Sequence, residues 1–401
     1  MFKILNEEPR TIYDCFKLLY KVLYYTGCVS FKQKDGKLVI DLSSIIYTYI
    51  VRVILIVGFV GGFALKLNDK DSAQAMFGRL TPVTKFILTF ECLANLITYI
   101  EATLMIDAQK RNLIQLMSEF EHLDRSLQID YPFIKWNYQK TMRKYAPTTI
   151  AIFIYFSIVS LSYVFNLSGC YCGIPTTFLI GATYTSITVA TGSVGFIHIA
   201  KMDLLRLRYR LISHLAQQTS NSSGTQNQKS VITNLKLYCR KYTELIININ
   251  NVFGYVSAAG IFHDFSILTS LLFLLCQKAS TATTKTTEYT FVILLLLPHF
   301  YKLVMTAIYG YLTEEEQKKC LHILMIRQTD DQEWFLHWKT HNNYKLYIGS
   351  TIRCNLNVIY MVLHGITNYV IILIQLQFQE NTITNNMKNH ESPKNVEYVK
   401  L

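Results

Sequence analysis

Between Lys144 and Lys201 the chain carries no Asp, Glu, Lys or Arg. A buried core helix needs about 10–14 apolar residues, whereas a membrane span needs about 20. This uncharged run is long enough for two successive spans and has no natural place in a soluble fold. The rest of the chain points the same way. Hydrophobic residues make up 51% of it and charged residues 16%, against about 25% charged in soluble domains. The expected fold class is an all-α membrane protein.

Seven spans are expected, at about residues 43–65, 81–106, 146–165, 174–200, 252–276, 289–312 and 354–378. Arg52 falls in the first, and Lys85, Glu91 and Glu101 fall in the second. Pro298 is expected to kink the sixth. Residues 1–42 mix acidic and basic residues and lack a compact apolar core, so they do not form a secretory signal. The first span then serves as an uncleaved anchor.

Orientation follows from the basic residues, which collect in cytoplasmic connections. Segments 1–42, 107–145, 201–251 and 313–353 hold 28 Lys and Arg, whereas 66–80, 166–173, 277–288 and 379–401 hold 8. The first set is expected to be cytoplasmic, with the N-terminus inside and the C-terminus outside. G-protein-coupled receptors have the opposite arrangement. Their Asp-Arg-Tyr after the third span and Asn-Pro-x-x-Tyr in the seventh are also absent. The net charge of +12 therefore reads as a topology signal. No basic run interleaved with aromatics suggests nucleic acid as a partner.

The inner connections are long and helix-like. Leu113, Leu116, Met117, Phe120 and Leu123 recur at steps of three and four, and Leu321, Leu324, Met325 and Trp334 punctuate residues 313–345. Helices are therefore expected to extend beyond the spans and pack together there. Residues 217–230, rich in Ser, Asn and Gln, read as a loop. The tail beyond Glu380 reads as irregular. The nine cysteines, at 15, 28, 92, 170, 172, 239, 276, 320 and 354, form no CxxC pair, so neither a metal site nor a disulfide framework is expected. Asn166-Leu167-Ser168 is a glycosylation sequon on the outer side. Asn221-Ser222-Ser223 is another, on the inner side.

The seventh span is uncharged from Cys354 to Gln379 yet carries a polar stripe. Asn357, Met361, His364, Asn368, Ile372 and Gln375 are separated by steps of three and four, which is one face of a helix. Polar groups facing lipid lack partners. The stripe must then line water, as in a pore built from several copies, or be buried against helices of its own bundle. Spacing leaves both open. No phosphate loop, HExxH or GxSxG is present, so neither an enzyme nor a cofactor is expected. The pair His263-Asp264 inside the fifth span suits a proton relay, a ligand site or a local polar contact.

Residues 366–376, Ile-Thr-Asn-Tyr-Val-Ile-Ile-Leu-Ile-Gln-Leu, resemble the seventh-helix signature of insect gustatory receptors: Thr-Tyr, five apolar residues, then Gln-Phe. Tyr369 and Gln375 match in type and spacing. Asn368 stands where the family has Thr, with Thr367 beside it, and Leu376 stands for Phe. The Gln-Leu ending also looks like that of the insect odorant co-receptor. The segment from Thr313 through Trp338 and the helix from Tyr238 to Gly254 are similar in layout to the family's. Elsewhere the likeness is architectural.

The resemblance implies a plasma-membrane receptor of chemosensory neurons. It implies a tetrameric ligand-gated cation channel, assembled from copies of itself or related subunits, that detects small-molecule tastants. The seventh helix would line the pore, with Ile372 as hydrophobic gate and Gln375 at the narrowest part. Segment 1–42 is then an inner N-terminal region and 43–312 holds six spans with the ligand pocket. Segment 313–353 becomes a helical anchor, 354–378 the pore helix and 379–401 an outer tail. Divergent members of the family often respond to bitter plant compounds. Glu91, Tyr155, Tyr163, Thr183, Tyr184, Asp264 and Tyr289 suit a small-molecule pocket, although such tyrosines also populate the interfacial belt. An odorant-receptor subunit shares fold and topology. A secondary transporter would show an internal repeat and paired broken helices, and no repeat is evident.

Overall fold

The fold was analysed as a computed structural model, which describes residues 9, 11–34, 36–69, 82–134, 136, 138–168, 174–219, 225–279, 286–326, 345–349 and 351–391. Two short N-terminal helices, α1 (Ile12–Cys15) and α2 (Lys17–Tyr25), precede a hairpin of β1 (Lys32–Lys34) and β2 (Lys37–Val39). Gly36, at φ +72°, makes the hairpin's tight turn, a backbone region closed to most side chains. Long helices follow: α3 (Leu42–Asn68), α4 (Pro82–Ala108), α5 (Lys110–Asp130), α6 (Tyr138–Ser168), α7 (Ile174–Thr219), α8 (Thr225–Ala279) and α9 (Thr286–Ile326). A second hairpin, β3 (Tyr347–Ile348) with β4 (Ile352–Arg353), leads into α10 (Asn357–Glu391). Lipid offers no hydrogen bonds, so spans must satisfy their backbone internally, as helices do.

Six described helices are long and apolar enough to cross a membrane: Leu42–Asn68, Lys85–Ala108, Tyr138–Ser162, Gln228–Gln277, Val292–Ile326 and Asn357–Glu380. The remaining expected span lies in α7. This helix is uncharged through Ala200 but rich in Thr, Ser and Gly, and its position explains why. It is the central post, packed against α3, α4, α6, α8 and α9. Thr188, Val189, Ala190, Thr191, Ser193 and Val194 are all buried. Its hydroxyls bond back to the preceding turn, as Thr188 does to the Tyr184 carbonyl and Thr191 to that of Ile187. A helix shielded from lipid by protein has no need to be apolar all round.

Toward the Lys- and Arg-rich end, α5 and the extensions of α7, α8 and α9 form a second core. Leu113, Leu116, Met117, Phe120 and Leu123 are buried there as their spacing predicts, as are Leu321 and Leu324. Trp334 and Trp338 lie outside the described residues. The N-terminal segment is part of this core, with Ile12, Phe16 and Leu19 at most 2% exposed. Arg52 is tolerated in α3 because it is fully engaged. Its guanidinium donates to the Gly27 carbonyl at 2.7 Å and to Asp107 of α4 at 2.9 Å.

Three expectations are corrected. The stretch read as a loop at residues 217–230 is helical at both ends, since α7 runs to Thr219 and α8 starts at Thr225. The last helix begins at Asn357, because Cys354 is held in the hairpin, its amide donating to the Leu346 carbonyl at 2.8 Å. The expected irregular tail does not begin at Glu380, since α10 continues to Glu391; residues 392–401 lie outside the described residues. Among the described residues Cys15, Cys28, Cys92, Cys239, Cys276, Cys320 and Cys354 are free thiols. Cys170 and Cys172 lie outside them, as does the inner sequon at Asn221.

Candidate functional site: the last helix and the polar interior

The last helix is attached mainly at its start. Arg353 of β4 pairs with Glu314 of α9. The Cys354 thiol donates to the Thr306 carbonyl at 3.4 Å. On α8, Asn250 donates to the Lys345 carbonyl at 2.7 Å and accepts from the Tyr347 amide at 3.0 Å. The Gly349 amide donates to the Gly254 carbonyl at 2.7 Å. One side chain and one close backbone contact on α8 thus hold the first strand and turn of the hairpin, while α9 holds its end.

Past that anchor, α10 touches α8, α9 and α4 along one side. Val358, Val362 and Ile366, one turn apart, are its buried row. Gly365 lets the Phe265 ring of α8 come close, since a Cβ there would lie 2.9 Å from it. Tyr369 meets the same ring edge-on at 5.5 Å.

All six stripe residues, Asn357, Met361, His364, Asn368, Ile372 and Gln375, are exposed in the chain. They lie about a third of a turn around the helix from the buried row. In the single chain the stripe is not packed against its own bundle. Asn368 and His364 hydrogen-bond to each other at 3.2 Å, which leaves further donor and acceptor capacity on both. Thr367 and Leu376 of the signature are exposed as well, and Leu373 is half-buried on the bundle side.

The interior holds the other candidates, in separate places. Glu91 and Tyr184 are buried and meet at 3.2 Å, with the phenol donating to the carboxylate. The Phe59 ring stacks on Tyr184 at 6.3 Å. Thr183 is buried nearby and bonds back to the Leu179 carbonyl at 2.8 Å. Tyr155 instead reaches across to α9 and donates to the Leu294 carbonyl at 2.5 Å. The side chains of Tyr163, Asn166 and Tyr289 lie outside those described.

Asp264 borders a narrow cavity between α4, α7, α8 and α9, lined also by Thr98, Thr191, His198, Ser257 and Lys302. Its free volume of about 20 Å³ holds about one water molecule. Lys302 reaches Asp264 at 2.8 Å, and the Ser257 hydroxyl lies 2.7 Å from His198 Nδ1. Sequence reasoning missed Lys302. The available signal was a lone lysine inside a predicted span, where an ionisable side chain asks for a partner.

Comparison with known proteins agrees with this architecture. The family model for 7tm chemosensory receptors matches residues 16–380. The Drosophila melanogaster protein named gustatory receptor 47b is 35% identical over 402 residues, covering 96% of this chain and 95% of that protein. Gustatory receptor 57a of the same fly is 24% identical over 397 residues, covering 92% of each. Among solved structures, the insect olfactory receptor OR5 from Machilis hrabei in complex with eugenol matches with a TM-score of 0.61 at 11% identity. The match covers 90% of this chain and 97% of that one. The same receptor without eugenol gives 0.60 at 12%.

Proposed function

Because this chain belongs to the 7tm chemosensory receptor family of insects, we propose that it is a gustatory receptor acting as a ligand-gated, non-selective cation channel. The observation that carries this reading is the uncovered stripe of α10. Asn357, His364, Asn368 and Gln375 lie on a face turned away from the buried row, in a span long enough to cross the membrane. Lipid would leave those amides and the imidazole without partners. Further copies of the chain, four around one axis, would turn the face toward water. In that arrangement a ring of Gln375 carbonyls offers oxygen to a partly dehydrated cation without fixed charge, which suits weak selectivity among monovalent ions. One turn inward, a ring of Ile372 closes the path by dewetting.

Small organic tastants are the proposed ligands, with bitter plant compounds the first to screen. The eugenol complex of OR5 supports a small organic molecule as ligand class. The excess of Lys and Arg on one set of connections supports a cytoplasmic N-terminus.

Thiol accessibility tests the reading. Cys15 and Cys28 provide a quiet background, since burial pushes both thiols up to about 12 and only the thiolate reacts readily. Cys276 is exposed and is first replaced by Ser, together with Cys170 and Cys172. In cells expressing the chain, Gln375→Cys should then lose ligand-evoked current to a charged thiol reagent applied from outside, whereas Leu373→Cys should keep it. Block of Leu373→Cys with Gln375→Cys untouched would defeat the pore assignment.

A further inference from the structure

A cluster of ionisable groups sits within the bundle, where α8 faces α9. His263 and Asp264 are consecutive on α8, and His299 lies one turn before Lys302 on α9. His263, Asp264 and His299 are each at most 3% exposed. His299 Nδ1 lies 3.0 Å and His263 Nδ1 3.8 Å from Asp264 Oδ1. One donor atom from each residue lies within 4.8 Å of the others. Neither ring nitrogen of His263, nor Oδ2 of Asp264, has a hydrogen-bond partner among the described residues. Buried polar atoms almost always have partners, and leaving one without costs stability. Here unpartnered donor atoms from adjacent residues converge beside a third residue able to coordinate.

We propose that His263, Asp264 and His299 form an intramembrane site for a transition-metal dication of the zinc type, in competition with the Lys302 ammonium. Two imidazoles and a carboxylate are a donor set that zinc accepts, with a fourth position left for water. Magnesium and calcium prefer six or more oxygen ligands, and this cluster offers only the Asp264 carboxylate. Tetrahedral ligands stand about 3.3 Å apart, so the set closes with side-chain movements of about an ångström. The cavity bordered by Asp264 and Lys302 provides an approach and has room for the water.

Lys302 makes the proposal specific. Its ammonium now balances Asp264 at 2.8 Å. A dication added beside it would stack like charges in a medium of low dielectric, at high cost. The lysine must therefore swing aside when the metal enters. Its stem runs past Gly195, where a Cβ would come within 3.1 Å. Bound metal would tie α8 to α9 through coordinate bonds in place of one ion pair.

The test is equilibrium binding of zinc to the detergent-purified full chain, with thermal melting alongside. Wild type should bind one equivalent more than either His263→Gln or His299→Gln. Lys302→Gln, lacking the competitor, should bind that equivalent more tightly than wild type. Zinc should raise the melting midpoint of wild type, a chelator should reverse the rise, and magnesium should give none. Cobalt(II) added to wild type should give the visible absorption of a tetrahedral site. That arm needs no substitution, so it stands even where a variant fails to fold. Equal zinc stoichiometry in wild type and both histidine variants, or no cobalt band in wild type, would overturn the site. Weaker zinc binding by Lys302→Gln would overturn the competition.

Discussion

Asp124 shows how much a single residue can hold in the second core. It is wholly buried and receives the Arg208 guanidinium at 2.5 Å and the Tyr242 hydroxyl at 2.8 Å. Arg208 lies over the Trp136 ring at 4.7 Å, and that indole donates to the Asp124 carbonyl at 2.8 Å. Removing one member strands a buried charge, which costs about 3–5 kcal/mol. Asp124→Asn should therefore lower the melting midpoint of purified protein sharply, while Arg125→Gln, at an exposed side chain on the same helix, should leave it nearly unchanged. Ile372 carries a prediction of the opposite kind. It is 48% exposed in the chain, so Ile372→Ser should leave stability nearly intact yet raise resting current without ligand, read by voltage clamp. Next to it along the stripe, Gln375→Glu would add a ring of negative charge, seen as increased divalent permeability or block.

Among the elements, α10 and α7 are opposites. The first is a span thinly covered by its own chain, and the second is a span largely enclosed by its neighbours. Leu113 through Leu123 were legible in the sequence because a repeat of three and four is a local signal, and so was the stripe of α10. The centrality of α7 was not, because its Thr and Ser make sense only once five neighbours surround it. Nor could the sequence show that Phe16 and Leu19 belong to the core of distant helices, or that Asp264, Lys302 and His299 meet across α8 and α9. Long-range packing leaves no period to read. The join between α9 and α10 gives the element-scale prediction. A Cβ on Gly310 would overlap the Cys354 carbonyl, whereas one on Gly61 would meet nothing. Gly310→Ala should thus destabilise the protein and disturb the hairpin that leads into α10. Gly61→Ala should do neither, and thermal melting of the two purified variants separates the outcomes.

At the scale of the molecule, orientation and assembly each carry a prediction. A tag at Met1 should be reached by antibody only after permeabilisation, whereas one after Leu401 should stain intact cells; staining of the Met1 tag on intact cells would reverse the topology. In the proposed assembly of four copies, the uncovered face of α10 completes nothing until other copies bring theirs. That geometry has a consequence in inheritance. A defect confined to this face would spare folding of the individual subunit, so the faulty copy would still enter complexes. With equal doses of sound and faulty chains mixing at random in fours, only about one complex in sixteen would be free of the fault. Lesions on the stripe should therefore behave as dominant traits in an animal carrying one damaged allele. Lesions at Asp124, which remove the subunit before it can mix, should be recessive.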